Sequence, residues 1–187
     1  MRSLAIILFL LAVPVMADAA TDDALNAAAN QSFLAVNAAR PGVVSRPDGL
    51  QYRILASGFG KRPGPTDTVQ INFGGKLING TVFDGTSPGL PVTLAVNALI
   101  RGLNEGVQLM HEGDRWQLVV PANLGFGPSS AANGVVPPNQ TLVFDITLVS
   151  VLAAPSPAEA SSGFPLGITG SSQGREEQGH AILTIPQ

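Results

Sequence analysis

Residues 68–77, TVQINFGGKL, place Val69, Ile71, Phe73 and Leu77 on one side of the chain and Gln70, Asn72 and Lys76 on the other. A period of two is the signature of a half-buried strand. The same alternation runs through LQYRIL (50–55), through RWQLVVP (115–121) by way of Trp116, Leu118 and Val120, and through TLVFDITLVSV (141–151). The last of these points Leu142, Phe144, Ile146 and Leu148 the same way. LPVTLAV (90–96) is a further β-rich run. Between Leu99 and Met110 the period changes, with Leu99, Leu103, Val107 and Met110 recurring at helical intervals, so one helix of about three turns interrupts the strands. The sum is an α+β domain over residues 48–152, an antiparallel sheet of roughly four to six strands whose apolar face is covered by that helix.

The flanks read differently. TDDALNAAANQSFLAVNA (21–38) sets Leu25, Ala29, Phe33 and Val36 on one stripe, with Thr21 and Asp22 where a cap and acidic first-turn residues belong. A helix of about four turns is marginal alone, so the stripe is expected to pack on the main domain, or else on a second copy of the chain. RPGVVSRPDG (40–49) has the punctuation of a connector. Beyond Ala153 the chain is dominated by Pro, Ala, Ser, Gly and Gln without apolar period, the composition of a disordered tail. At the other end, MRSLAIILFLLAVPVMADAA has a charged start at Arg2, an apolar run from Leu4 to Met16 and small residues around Ala17 to Ala19. This is the layout of a secretory signal peptide cleaved near Ala19. The apolar run is shorter than the roughly 20 residues that span a bilayer. The predicted organisation is a signal peptide (1–19), an N-terminal helix and linker (20–47), the main domain (48–152) and the tail (153–187).

Charge and composition then remove whole classes of function. Ten basic against 13 acidic residues give a net charge of -3, no footprint for nucleic acid or anionic lipid, and no stable membrane insertion of the mature chain is expected. With no cysteine in the sequence, disulfides, thiolate metal sites, a Cys nucleophile and a lipidated cysteine anchor are all excluded. The two histidines, His111 and His180, fall at the end of the predicted helix and in the tail, which leaves neither a triad base nor a metal cage. GFGKRPG (58–64) pairs Gly with Lys, but Arg62 stands where a phosphate-binding loop needs Ser or Thr. No cofactor and no metal is implied.

The positive signal is an ordered set of apolar and aromatic segments beside loop punctuation: INFGGKLINGTVFDGT, LIRGLNEGVQLM, PANLGFG and GVVPPNQTLVFDI. In this order and spacing, over about residues 30–152, the chain resembles the FKBP-type peptidyl-prolyl cis-trans isomerases. DGLQYRIL, LINGTVFD and VQLMHEGDRWQLVVPANLGFG look most like the bacterial exported branch that includes macrophage infectivity potentiator. The resemblance implies an antiparallel half-barrel sheet wrapped around the short helix, with a shallow hydrophobic pocket between them. Carried over, it assigns Asp84, Ile100, Phe126 and Phe144 to catalysis and Phe73, Phe83, Val92, Leu99, Leu103, Val135 and Val136 to substrate binding. Pro137 and Pro138 then stiffen the loop presenting Val135 and Val136 at the rim. For Leu103, Phe73 and Phe144 the competing reading is plain core, and for Asp84 a turn residue before Gly85.

The implied activity is isomerisation of Xaa-Pro bonds in proline-containing clients during folding of exported proteins, in the bacterial periplasm. Three positions depart from the family pattern. Leu103 replaces the usual tryptophan floor, Phe126 a tyrosine that bonds ligand, and Phe73 a tyrosine that would meet Asp84. Reduced activity and weak macrolide binding are therefore expected. The alternative is an exported chaperone or peptide-binding module with the same groove and little catalysis, with a homodimer through the N-terminal helix as a possible assembly.

Overall fold

The computed structural model describes residues 25–152, so the expected signal peptide and the tail from 153 onward lie outside the described residues. Its centre is β3 (Thr68–Leu77), where buried and half-buried residues alternate without a break, as the period of two requires. The other strands are β1 (Val43–Ser45), β2 (Gln51–Ala56), β4 (Val82–Gly85), β5 (Val92–Ala95), β6 (Arg115–Val120) and β7 (Leu142–Leu152). They form one sheet in the order β1-β2-β6-β7-β3-β4, with β5 also on β3. Every pairing is antiparallel.

Seven strands among the described residues exceed the four to six expected. Two account for most of the difference. β1 lies inside the stretch read as a connector, and β4 is a short edge strand. At three and four residues neither is long enough for an alternation to show.

The inner face of the sheet is closed by α2 (Arg101–Leu109), preceded by α1 (Ala27–Ala38) in chain order. α2 is shorter than the span from Leu99 to Met110, because Ile100 and Met110, its two caps, both have extended ψ. His111 lies beyond the helix, where its N–H donates to Asp114 Oδ2 at 2.7 Å. Leu103 and Val107 of α2 enter one cluster with Val69, Ile71, Leu118, Phe144 and Ile146. The close approach depends on two glycines. A Cβ on Gly102 would stand 2.5 Å from Val120 Cγ1, and one on Gly106 would stand 2.6 Å from Leu118 Cδ1.

Of the expected apolar stripe, Leu25, Ala29 and Phe33 are half-buried and Leu25 packs against the core, but the most buried positions of α1 are polar. Its cap is Asn26, whose side chain accepts from Ala29 N–H, while Thr21 and Asp22 lie outside the described residues. Val36 is 61% exposed, whereas Asn30 and Asn37, two turns apart, are 6% and 3% exposed. The seam they make is one of amides. Asn37 Nδ2 donates to Gln51 Oε1 at 2.8 Å and Gln51 Nε2 donates to Leu34 O at 3.0 Å. Toward the helix start, Thr141 N–H donates to Asn30 Oδ1 at 2.7 Å, and Asn30 Nδ2 donates to Gln140 Oε1 at 3.1 Å. The reason is the surface beneath: at both ends of the helix the main domain offers buried amides or a strand-end N–H, and only a polar partner satisfies them.

At the opposite end of the domain Glu112 ties segments distant in the chain. Its carboxylate accepts from the N–H of Val151 and, at 3.1 Å, from that of Lys61. These two backbone donors, Val151 first, hold its carboxyl below the ordinary glutamate value.

Candidate active site

The site is built on β3. Gly75 lies opposite Asp84 of β4 on one side and Phe144 of β7 on the other. Between Gly75 and Lys76 the β3–β4 register slips, because Lys76 pairs with Val82 and leaves Phe83 as an extra residue. Such a bulge re-aims a side chain. In uninterrupted register Phe83 would oppose Lys76, which alternates away from the core; the bulge brings its ring instead onto the face of Gly75. There Phe83 meets Phe144 edge-on, with ring centroids 5.7 Å apart and planes at 90°, the arrangement aromatic quadrupoles favour. A Cβ on residue 75 would stand 2.7 Å from Phe83 Cζ and 3.0 Å from Phe144 Cε1, so only glycine admits both rings.

Asp84, half-buried, accepts from Gly85 N–H at 2.8 Å through Oδ1. Below it, Phe73 and Thr86 are joined three times: Phe73 N–H donates to Thr86 Oγ1 at 3.1 Å, and Phe73 O accepts from Thr86 N–H at 2.9 Å and from Thr86 Oγ1 at 3.4 Å. Thr86 fixes the end of β4 and was not among the residues the sequence singled out.

The loop from Phe126 to Asn139 supplies the facing rim. Ala131 and Val136 exchange backbone hydrogen bonds at 3.0 and 3.1 Å, and Asn139 N–H donates to Gly127 O at 2.7 Å, closing the loop on itself. Ala132 and Asn133 both take φ of 53°, the left-handed region that a turn this tight demands. This separates two residues expected together at the rim. Val135 is 45% exposed, while Val136 is 1% exposed and belongs to the core.

The third element is the start of α2. Ile100 is its N-cap and no side chain caps it, so the first-turn N–H groups have no intrahelical acceptor. An opening of about 360 Å³ lies at this turn, touching Asp48, Asn97, Leu99, Arg101 and Glu105. Arg46 Nε bonds Glu105 Oε1 at 2.7 Å. Donation from the protonated Glu105 carboxyl to the Asp48 carboxylate, reinforced by burial, raises Glu105 above its ordinary value, and the same bond lowers Asp48.

The structure divides the sequence-predicted residues into two layers. Phe73, Leu99, Ile100, Leu103, Val136 and Phe144 are core. Phe83, Val92 and Phe126 are partly buried and packed against that core, Asp84 is half-buried and Val135 exposed. Leu103 and Phe144 have no exposed surface, so they stand behind the outer layer and do not face an open hollow. Among the described residues no group of three His, Asp or Glu is placed to hold a metal ion, and no helix is long and apolar enough to cross a membrane.

Comparison with known proteins finds relatives over most of the described residues. Residues 60–149 match the profile of FKBP-type peptidyl-prolyl cis-trans isomerase, and residues 10–54 that of the domain amino terminal to it. The chain is 46% identical over 130 residues to the outer membrane protein MIP of Legionella longbeachae, an alignment covering 69% of this chain and 55% of the relative. It is 40% identical over 127 residues to the peptidyl-prolyl cis-trans isomerase Mip of Coxiella burnetii, covering 67% and 55%. It therefore spans little more than half the length of either. A crystal structure of a peptidyl-prolyl cis-trans isomerase from Pseudomonas syringae pv. tomato superposes with a TM-score of 0.63 at 32% identity, covering 72% of this chain and 98% of that one. With profile, relatives and superposed fold in agreement, the chain belongs to the FKBP-type peptidyl-prolyl cis-trans isomerase family.

Proposed function

We propose that this chain accelerates cis-trans isomerisation of Xaa-Pro bonds in polypeptides that fold after export. The observation that carries the proposal is the aromatic cluster over Gly75, with Phe83 turned onto Phe144 beside Asp84. Isomerisation crosses a barrier of about 18–20 kcal/mol because rotation breaks amide resonance, and unaided it takes tens to hundreds of seconds. No bond is made or cleaved, so a site without acid, base, nucleophile or metal suffices. A twisted amide carries less charge separation than a planar one. Apolar walls that exclude water therefore favour it, and each 1.4 kcal/mol of preference for the twisted form is worth about tenfold in rate.

In this reading Phe83 and Phe126 wall the prolyl ring, with Leu103 and Phe144 as the floor reached when the Phe83 ring swings aside. Val92 and Val135 line the mouth, and Phe73, Leu99 and Val136 hold these walls from behind. Ile100 N–H donates to a substrate carbonyl, and Asp84 supplies a polar edge. The layered burial of these residues supports this division of roles. Because Phe126 and Phe73 lack hydroxyls, macrolides bind weakly.

Export is supported by the leader-like residues 1–19, and the Legionella longbeachae relative is itself named an outer membrane protein. A homodimer through α1 has less support, since α1 commits its buried amides to β2 and to the segment leading into β7 of its own chain.

A polypeptide-holding role with little catalysis is the second reading. It is favoured by Phe59, which is 96% exposed, near the exposed Ile54 and Leu55. An Xaa-Pro peptide assay run beside aggregation suppression of a proline-independent client separates the two. Rate enhancement lost in Phe83→Ala and Asp84→Ala variants that retain their melting temperature supports catalysis. Aggregation suppression without rate enhancement in the unmodified chain supports holding alone.

A further inference from the structure

The amide seam of α1 ends on the segment that carries the rim loop into β7. Gln140 Nε2 donates at 3.0 Å both to Pro138 O, within that segment, and to Leu25 O at the helix start. Asn30 accepts from Thr141 N–H and donates to Gln140 Oε1. Asn139, held at a φ of 61°, is clamped to Gly127 across the loop. Residues 138–141 thus have their backbone pinned on one side by the rim and on the other by α1. Asn30, Gln140 and Thr141 are all buried. One residue further on β7 begins, and it carries Phe144 to the floor of the site.

We infer that Asn30 is a positioning residue for substrate binding: through Gln140 and Thr141 it sets the stance of the rim that presents Val135. This rests on the functional reading above. The seam has two anchors, and they differ in what lies beyond them. Asn30 leads to the rim, whereas Asn37 leads to Gln51 in β2, away from the aromatic cluster. A helix that served only to cover the sheet would make the two equivalent. A rim that is held makes them different. Because Val135 lines the mouth and not the wall around the prolyl ring, it touches substrate alike in its planar and twisted forms, so loosening it weakens binding without slowing the bound step, which raises KM and leaves kcat in place.

The experiment compares Asn30→Ala and Asn37→Ala in the full chain by melting temperature, by KM and kcat on an Xaa-Pro peptide, and by Kd for a macrolide. Both variants are expected to melt lower than wild type. Only Asn30→Ala is expected to raise KM and macrolide Kd, by about three- to tenfold, the factor one lost hydrogen bond carries. Hydrogen exchange at the Thr141 amide should accelerate in the same variant. Where Asn30→Ala folds poorly, Gln140→Met keeps the volume, removes the bridge to Leu25 O and must raise KM likewise. Equal KM and Kd in the two asparagine variants, or an unmoved KM in Gln140→Met, overturns the inference while wild-type activity preserves the functional reading. A wild-type chain that neither isomerises the peptide nor binds the macrolide overturns that reading, and the inference with it.

Discussion

The two faces of the sheet hold their helices by different physics. On the inner face α2 is seated by Leu103 and Val107 in a continuous apolar cluster, drawn close by Gly102 and Gly106. On the other side α1 is seated through Asn30 and Asn37, with Val36 left in solvent. Apolar burial is strong and has no direction, so it makes the domain stable but tolerates small shifts. Amide bonds add little net free energy, yet their geometry is strict and leaving one partner unmet is costly. The inner helix supplies cohesion, and the outer helix supplies register.

The sharpest test of that contrast is Leu103→Ala. Removing a fully buried leucine from the inner cluster should cost about 2–5 kcal/mol in urea unfolding, whereas Asn37→Ala on the outer seam should cost about 1–3 kcal/mol. Equal losses would dissolve the distinction. Gly75→Ala comes next. Its new methyl meets two rings at once, and the overpacking should cost about 1–3 kcal/mol together with most of the isomerase activity, read in the same peptide assay. Phe126→Tyr leaves both helices untouched and changes only the rim. Restoring a hydroxyl should tighten macrolide binding by about 1 kcal/mol, measurable by calorimetry.

The smallest effect expected is one of pH. The Glu112 carboxyl titrates lower in the folded chain than when unfolded, since the Val151 and Lys61 N–H groups favour its charged form. Its contribution is therefore complete above the unfolded value and is lost as pH falls through the folded one. Glu105 has the opposite sign. Raised by its bond with Asp48, it contributes below its unfolded value and loses that contribution as pH rises through the folded one. Melting curves from neutral to acid pH should thus fall less steeply for Glu112→Gln than for wild type.

The long strands β3, β6 and β7 were legible because ten, six and eleven residues give an alternation room to declare itself. α2 was legible as a change of period. The cluster residues were legible through the order of their motifs, but their layering was not. Nothing local in Val135-Val136 says which one turns inward, since that is settled by the bonds between Ala131 and Val136. The asparagines of α1 were invisible as anchors for a related reason. Asn30 and Asn37 interrupt an apolar pattern, and their partners Gln51, Gln140 and Thr141 are remote in sequence. Thr86 was missed because its role lies in a side-chain-to-backbone bond across β3. Gly75 stood in view within Phe73-Gly74-Gly75, yet its purpose appears only once two rings converge on it.

The slip opposite Lys76 means that chain length, as much as side-chain identity, aims Phe83. Deleting a single residue from the hairpin connecting β3 to β4 could return that phenylalanine to solvent while every named aromatic remained in the gene. Two homologues with matching rings but unequal hairpins can therefore differ in their catalytic wall, a divergence that counting identical positions would overlook.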